Sequence, residues 1–584
     1  MPLSSNLRNG NHILFTLSQQ RLLLWVLAFA AIILFMGIGL RSPWPADEPR
    51  FAEVAREMVA SGQWLIPMRG GEFYPDKPPV FMWAIAALYW LTGNLKVAFL
   101  LPNAICGLIT IAAVFDLAYR LWGRQAALWS VVLLLIAPQF MVQAKNAQID
   151  GMVACWITLG CYGLIRHFYL GPHWRWYFSA WAFMGLGIIT KGVGFLPALL
   201  LIPILWQGWR HPQRFSGRLR WRCALGPLVM VTVAAAWLLP MVWYVDQVGS
   251  DAALAYRDNL LFKQTGERYA NAWGHIQPWH YFIANVIPSL WFPLPLLLLA
   301  LVRPLRDALR DQPVIAAQLG WVVLVVVFFS ISPGKRGVYV LPALPMFALV
   351  LGALMRQYQP ARWFNPALTL VQAGLALALI ALGMLAWTEH PRLAAKLADY
   401  SRHPANLHRA GSLLLLLGLL WLAGLAIWWR SALTRWFFTT MLSWLLLATW
   451  GYQILEPLRT PRNVLAAAEQ RLPEGASLGL IGFREQFILF SKLDVTHFSY
   501  LAPDREQERN AWHWQAEALD RYLLVSEDQP LQCYRKDGAI ELGVAHRQHW
   551  LLLGMNQRLP GCPRPNRHQQ FTTEHPGRWM GPGG

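Results

Sequence analysis

Fourteen apolar runs recur along the chain, near 22–40, 80–93, 97–118, 126–144, 151–168, 175–190, 194–208, 223–244, 281–302, 315–332, 338–355, 366–387, 411–429 and 434–454. A helix that crosses a bilayer needs about 20 apolar residues, within a range of roughly 17–25. Run 80–93 is short and follows Pro78 and Pro79, so it reads as an interfacial helix. Thirteen membrane-spanning helices remain. With residues 1–21 on the inner side, strict alternation makes 120–124, 166–175, 210–222, 303–310, 356–362 and 430–435 the cytoplasmic loops. All six are basic, as the excess of Lys and Arg in cytoplasmic loops requires. Counting 80–93 as a span would turn them outward. The first 21 residues carry no cleavage-site pattern, so the first helix reads as an uncleaved anchor.

On this map three stretches face the periplasm: 41–79 with the interfacial 80–93, 245–280, and everything after about 456. The pattern changes in the last of these. A helix is predicted at 463–471, a strand at 477–483, a helix at 506–520 and a strand at 522–526, which together read as a small α/β domain over 456–555. The tail 556–584 is rich in Pro and Gly and is expected to be disordered. The fold class is therefore an all-α polytopic membrane protein (transmembrane domain 22–455) with a small C-terminal periplasmic α/β domain.

Composition agrees. Of the 584 residues, 56% are hydrophobic and 14% charged, against about 45–50% and about 25% in soluble domains. A single water-soluble domain, a disordered chain and a small disulfide scaffold are excluded. The net charge of +19 is spread over loops as topology demands, which argues against nucleic-acid binding. Cys106, Cys155, Cys161 and Cys223 lie in apolar helices and read as small core residues. Cys533 and Cys562 lie in the exported part, where an oxidising compartment would allow them to pair. No CxxC or HExxH spacing occurs.

The polar residues that break the apolar pattern gather on the outer face. Asp47 and Glu48 precede Pro49 and a predicted amphipathic helix at 50–60, which they could simply cap. Asp150, Lys191, Lys77, Lys335 and Arg336 fall on the same face. Each basic residue alone could snorkel to the interface. As a set they run against the positive-inside bias, and ionisable groups near membrane depth are costly and mark functional sites. Lysines and an arginine there suit a lipid-borne phosphate, and a carboxylate suits a general base. There is no Gly-rich phosphate loop, so a soluble nucleotide is not the evident ligand.

The string from Asp47-Glu48-Pro49-Arg50-Phe51 to Trp64-Leu65-Ile66-Pro67 resembles the first outer loop of the PMT-like GT-C glycosyltransferases, especially the bacterial 4-amino-4-deoxy-L-arabinose (aminoarabinose) lipid A transferases. The likeness continues through Tyr74–Pro79, Asp150, Thr190-Lys191-Gly192, Gly274–Tyr281, Phe328-Phe329-Ser330, Gly334-Lys335, Tyr339 and Pro342, so it covers roughly residues 20–350. It implies a GT-C fold of about thirteen helices and an inverting glycosyltransferase in the bacterial inner membrane, working on the periplasmic face. The donor would be a sugar on undecaprenyl phosphate, and the acceptor lipid A or a related glycolipid. By this resemblance Asp47 matches the catalytic acid residue, with Glu48 beside it, and Asp150 the second outer-loop acid. Lys77, Lys191 and Lys335, with Arg336 and Tyr339, would hold the donor phosphate.

Two departures stand out. Asp76 occupies the place of a Glu that, with a loop His, forms a metal site in some members; Asp76 with His275 would be the counterpart, and carboxylate with imidazole suits zinc. No cofactor is otherwise expected, and a monomer is. The family's His-x-x-Arg-Phe segment is replaced by Asn259-Leu260-Leu261-Phe262-Lys263, a change that bears on the sugar and the acceptor. Two other classes stay open: a related GT-C enzyme using another polyprenyl-linked sugar and acceptor, and a lipid-linked sugar transporter. A transporter should show inverted repeats and broken midplane helices, and the sequence shows neither.

Overall fold

The computed structural model describes residues 17–262, 275–391, 404–427 and 431–574. It is mostly helical. Among the described residues seven helices are long and apolar enough to cross a membrane: Leu95–Trp122, Ile149–Leu170, Trp221–Val248, Pro313–Ile331, Gly337–Met355, Phe364–Trp387 and Asn406–Ile427. Counting each of two bent pairs as one span brings the number to nine. Arg124–Ile136 turns by 71° into Pro138–Lys145, and Phe282–Leu290 by 101° into Leu294–Ala300.

The sequence explains these breaks. Ala137 is extended because the ring of Pro138 disfavours helical geometry in the residue before it. At the second bend Pro293 lies in the turn that precedes the helix Leu294–Ala300. The run expected at 194–208 divides into a 3₁₀ turn, Leu196–Leu200, and a helix, Leu201–Arg210. That at 434–454 divides into Ala432–Leu446 and Tyr452–Arg459 around a π-helical turn. Apolar composition therefore marks more runs than there are long straight helices. The short run 80–93 forms the helix Val80–Thr92.

The centre of the bundle is the helix Leu344–Met355, every residue of which is buried. At Gly352 a Cβ would come within 3 Å of the Ser130 backbone, so only glycine allows this helix to approach its neighbour Arg124–Ile136 so closely.

Beyond Thr460 the chain forms a six-stranded mixed sheet. With β1 (Met68–Arg69) and β2 (Glu72–Phe73) pairing as a hairpin in the first loop, the later strands are β3 (Ser477–Leu480), β4 (Val495–His497), β5 (Arg521–Ser526), β6 (Ile540–Ala545), β7 (Gln548–Leu553) and β8 (Phe571–Thr573). Their order is β6-β7-β5-β3-β4-β8, with β3 parallel to β4 and β5 and the other pairs antiparallel. The helices Arg462–Glu469 and Asp504–Ala516 and strands β3 and β5 fall within a few residues of the predicted ones.

The tail expected to be disordered from residue 556 is a correction. Residues 556–574 are built into the domain; residues 575–584 lie outside the described residues. Cys562 is disulfide-bonded to Cys533, and β8 pairs with the edge of β4. Pro and Gly content signals an inability to bury apolar area, but Phe571 stacks on His497, with ring centroids 5.3 Å apart.

The sheet domain packs on the first loop. Glu72 accepts hydrogen bonds from Ser499 Oγ at 2.6 Å and Tyr500 N at 2.8 Å, and Tyr500 donates its hydroxyl to the Phe73 carbonyl at 2.6 Å. Glu485 pairs with Arg69 at 2.5 Å and Arg50 at 3.2 Å. These contacts fix the hairpin that leads into Tyr74–Pro79.

Candidate active site

The helix Glu48–Ser61 begins where its sequence directs. Pro49 sits in the first turn, where its missing N–H costs nothing, and Phe51, Ala52, Val54, Ala55 and Met58 form its buried face. Asp47 is the N-cap residue, yet its side chain makes no capping hydrogen bond. Its Oδ2 lies 3.4 Å from Gln148 Nε2, beside the start of the Ile149–Leu170 helix that carries Asp150.

Glu48 has a different role. It is buried, and its Oε2 contacts Arg41 Nη1 while Oε1 accepts from Arg41 Nη2 at 2.7 Å. The Trp44 N–H donates to Oε2 at 2.8 Å and the Ala147 N–H to Oε1 at 2.9 Å. An ionised carboxylate has about four acceptor positions, so Glu48 is saturated by protein. Sequence reasoning missed Arg41; its only signal was a cation at the outer end of the first apolar run, against the charge bias of that face.

A cavity of about 300 Å³ opens behind this loop. Asp76 and Lys77 reach it from the first loop, Asp150 and Lys191 from the facing ends of two helices, and Tyr339 from a 3₁₀ turn, so five residues singled out in the sequence meet there. Lys191 Nζ forms an ion pair with Asp150 Oδ1, each side chain being 15% exposed, and lies 4.8 Å from the centre of the Tyr339 ring. The sequence breaks its helix at this lysine because Gly192 takes a left-handed conformation (φ 88°). Lys77 Nζ donates to the Asp76 carbonyl at 3.0 Å. Tyr74 next to them is fully buried, and burial, with the Asp76 carboxylate adding to it, pushes its hydroxyl well above the usual value. It therefore stays protonated. The remaining wall is largely apolar, with Ile189, Val193, Trp237, Leu260 and Leu261.

Lys335 and Arg336 do not line this cavity. The buried Lys335 ammonium donates to the carbonyls of Gln277 at 2.9 Å and Ser332 at 2.6 Å, and its backbone N–H to the His275 carbonyl at 2.9 Å. Arg336 Nη2 is 2.8 Å from His275 Nε2. These residues join the connection after Pro313–Ile331 to the segment at 275–277. Lys263 and Gly274, also in the motif segments, lie outside the described residues.

Asp76 and His275 do not fit a metal site in this arrangement. His275 Nε2 faces the Arg336 guanidinium, and His275 is exposed outside the cavity that Asp76 lines. Among the described residues no three His, Cys, Asp or Glu side chains converge as metal ligands would.

Two cations beside an aromatic hydroxyl suit a phosphate, and apolar walls suit the lipid or sugar that carries it. Comparison with known proteins bears on this reading. Residues 76–237 match the family model described as dolichyl-phosphate-mannose-protein mannosyltransferase; that range holds Asp76, Lys77, Asp150 and Lys191. The undecaprenyl phosphate-alpha-4-amino-4-deoxy-L-arabinose arabinosyl transferase of Pseudomonas savastanoi is 29% identical over 351 residues, covering 58% of this chain and 62% of that protein. Its counterpart from Pseudomonas paraeruginosa is 29% identical over 466 residues, 76% of each. The chain thus spans about six tenths of the length of the first of these relatives. The crystal structure of ArnT from Cupriavidus metallidurans bound to undecaprenyl phosphate superposes with a TM-score of 0.70 at 20% identity, over 93% of this chain and 100% of that one. The fold is therefore the GT-C fold.

Proposed function

We propose that this chain, which resembles the bacterial aminoarabinose transferases of the PMT-like GT-C group in sequence and fold, is a glycosyltransferase that moves 4-amino-4-deoxy-L-arabinose from undecaprenyl phosphate to lipid A. The observation that carries this is the cavity in which Lys77, Lys191 and Tyr339 meet Asp76 and Asp150 between apolar walls. The curated relatives are named for an undecaprenyl phosphate aminoarabinose donor.

In the reaction an acceptor oxygen attacks the anomeric carbon of the donor sugar. A new carbon–oxygen bond forms as the bond to the phosphate oxygen breaks, and undecaprenyl phosphate leaves with inversion. Lys77 and Lys191 hold the leaving phosphate and Tyr339 lines it. Asp47 orients the acceptor. A lipid A phosphate, with a second pKa of about 6, is largely ionised at neutral pH and needs little deprotonation; a hydroxyl acceptor would require Asp47 as a base. Glu48, held by Arg41, fixes the backbone beside Asp47. Lys335 and Arg336 hold the outer loop. No step runs through a metal.

The same reading takes the protein as a thirteen-span monomer in the bacterial inner membrane. The cavity and the sheet domain (456–574) face the periplasm, and the basic loops face the cytoplasm. A second reading, another polyprenyl-linked sugar, is favoured by Leu260 and Leu261 on the cavity wall, where the family's loop carries a different motif.

The test is mass spectrometry of lipid A from cells that make the donor but lack their own transferase, expressing the wild type or Asp47→Asn. A mass gain matching aminoarabinose with the wild type alone supports the proposal. No gain with both proteins in the membrane excludes this sugar and acceptor and turns the search to the second reading.

A further inference from the structure

We propose that the membrane domain carries a second lipid site, at the end away from the cavity, in which an anionic bilayer phospholipid lays an acyl chain in an apolar groove and its phosphate meets Arg210, Arg306 and Arg310. The groove, of about 560 Å³, lies between the helices Leu201–Arg210, Val302–Asp311 and Pro313–Ile331. Every residue on its wall is apolar, including Ile202, Trp206, Leu309, Leu319 and Val323. Phe329 of the last helix lines the cavity, while Ala316 and Leu324 line the groove, so at a rise of about 1.5 Å per residue the groove begins about 8 Å along that helix from the cavity and ends about 20 Å from it, at the arginines. From Ala316 to Leu324 the groove is about 12 Å long by the same rise, which suits a stretch of extended alkyl chain.

The charges at its mouth are sorted. The helix Val302–Asp311 buries Leu305 and Ala308 and turns Leu309 to the groove. At about 100° per residue, Arg306 lies about 60° and Arg310 about 100° around from Leu309, whereas Asp307 and Asp311 lie about 160° away. Arg303 falls between the two groups. The cations thus take the flank next to the groove and the acids the far flank. A positive-inside bias would raise the number of arginines on this face without sorting them around one helix. On the opposite wall Arg210 lies over the Trp206 ring, 4.5 Å from its centre, which holds a third guanidinium at the mouth. Guanidinium forks match phosphate oxygens, and basic pockets between helices at this membrane level bind anionic headgroups.

Gly320 keeps the groove open. A Cβ there would meet only Pro203, at 3.9 Å, so Gly320→Leu fills the groove without touching a charge. The experiment is native mass spectrometry of the full chain in detergent, titrated with phosphatidylglycerol, with phosphatidylcholine of the same chains, and with inorganic phosphate. The wild type should bind one phosphatidylglycerol in preference to the other two. The R210Q/R306Q/R310Q variant should bind it about a hundredfold more weakly, at roughly one kcal/mol per basic residue. Gly320→Leu should lower binding with all charges in place. The R356Q/R362Q control, which removes two arginines from a neighbouring loop, should leave it unchanged. Equal binding of phosphatidylcholine, tight binding of phosphate alone, no effect of Gly320→Leu, or an equal loss in the control would each overturn the proposal.

Discussion

Arg41 grips Glu48 with both terminal guanidinium nitrogens, and the two carboxylate oxygens accept backbone N–H groups from Trp44 and Ala147. The first loop is thereby tied to the connection that leads into Asp150. Removing one partner of a buried pair strands the other charge, at a cost of about 3–5 kcal/mol. Glu48→Ala should therefore lower the thermal unfolding temperature and the yield of folded protein in detergent. An unchanged melting curve would show that the pair does not hold the loop.

Asp47 should behave differently although it is the adjacent residue. It is half-buried, and its contact with Gln148 is long, at 3.4 Å. Asp47→Asn removes a charge with little change in shape, so stability should stay within about 0.5 kcal/mol. Transfer to lipid A should fall by about 10²-fold or more. Near-normal transfer would remove Asp47 from the mechanism.

These two carboxylates mark what the sequence could convey. Hydropathy identified the long apolar helices, and the α/β pattern after 456 was legible because its strands are short, apolar and bounded by turns. Lys77, Asp150 and Lys191 drew attention because each interrupts an apolar pattern, whereas Asp76 and Tyr339 were singled out only through the family resemblance; all five line the same cavity. Division of labour within the acidic pair was not. Arg41 and Ala147 approach Glu48 from residues 7 and 99 positions away, a distance that periodicity does not see. Lys335 looked like a phosphate ligand by charge and placement, but its ammonium is met by carbonyls of a neighbouring loop. The order in 556–574 depends on a disulfide and an added edge strand, neither of which composition reports.

Asp150 and Lys191 pair across the cavity, so an incoming phosphate must compete with Asp150 for the ammonium. Lys191→Ala should raise the donor KM by about tenfold, the loss of one charge-assisted contact. Asp150→Asn frees the ammonium and should lower the donor KM while reducing kcat. Steady-state kinetics with varied donor concentration separates the two. If both variants shift KM the same way, the phosphate does not compete for this lysine.

Lys335 predicts a different pattern. Its bonds to Gln277 and Ser332 hold a loop together. Lys335→Met keeps much of the side-chain length and removes the donors. Unfolding temperature and kcat should both fall, with the donor KM changing by less than about twofold, since no contact with the phosphate is lost. A selective rise in donor KM would restore Lys335 to phosphate binding.

His497 gives the domain contact a pH dependence. Its Nε2 lies 2.6 Å from the Gly70 carbonyl in the hairpin, and the ring is fully buried. Burial, with a smaller push from Arg69, takes its pKa from 6.5 down to about 4, while the Gly70 bond and Glu53 oppose the shift. The unfolded chain binds a proton near pH 6.5 and the folded chain only near 4, so the unfolded state holds more protons between those values. Stability therefore rises with pH in this window. It is highest above about pH 6.5 and declines as the pH falls toward 4, by about 3 kcal/mol at most from a shift of this size. His497→Gln retains a donor for the Gly70 carbonyl and cannot titrate. Melting curves of the two proteins between pH 4 and 7 should converge or cross on acidification, with the wild type losing more. Parallel curves would mean that another group carries the acid sensitivity, and that the sheet domain is held to the first loop through Glu72 and Glu485 without a contribution from this ring.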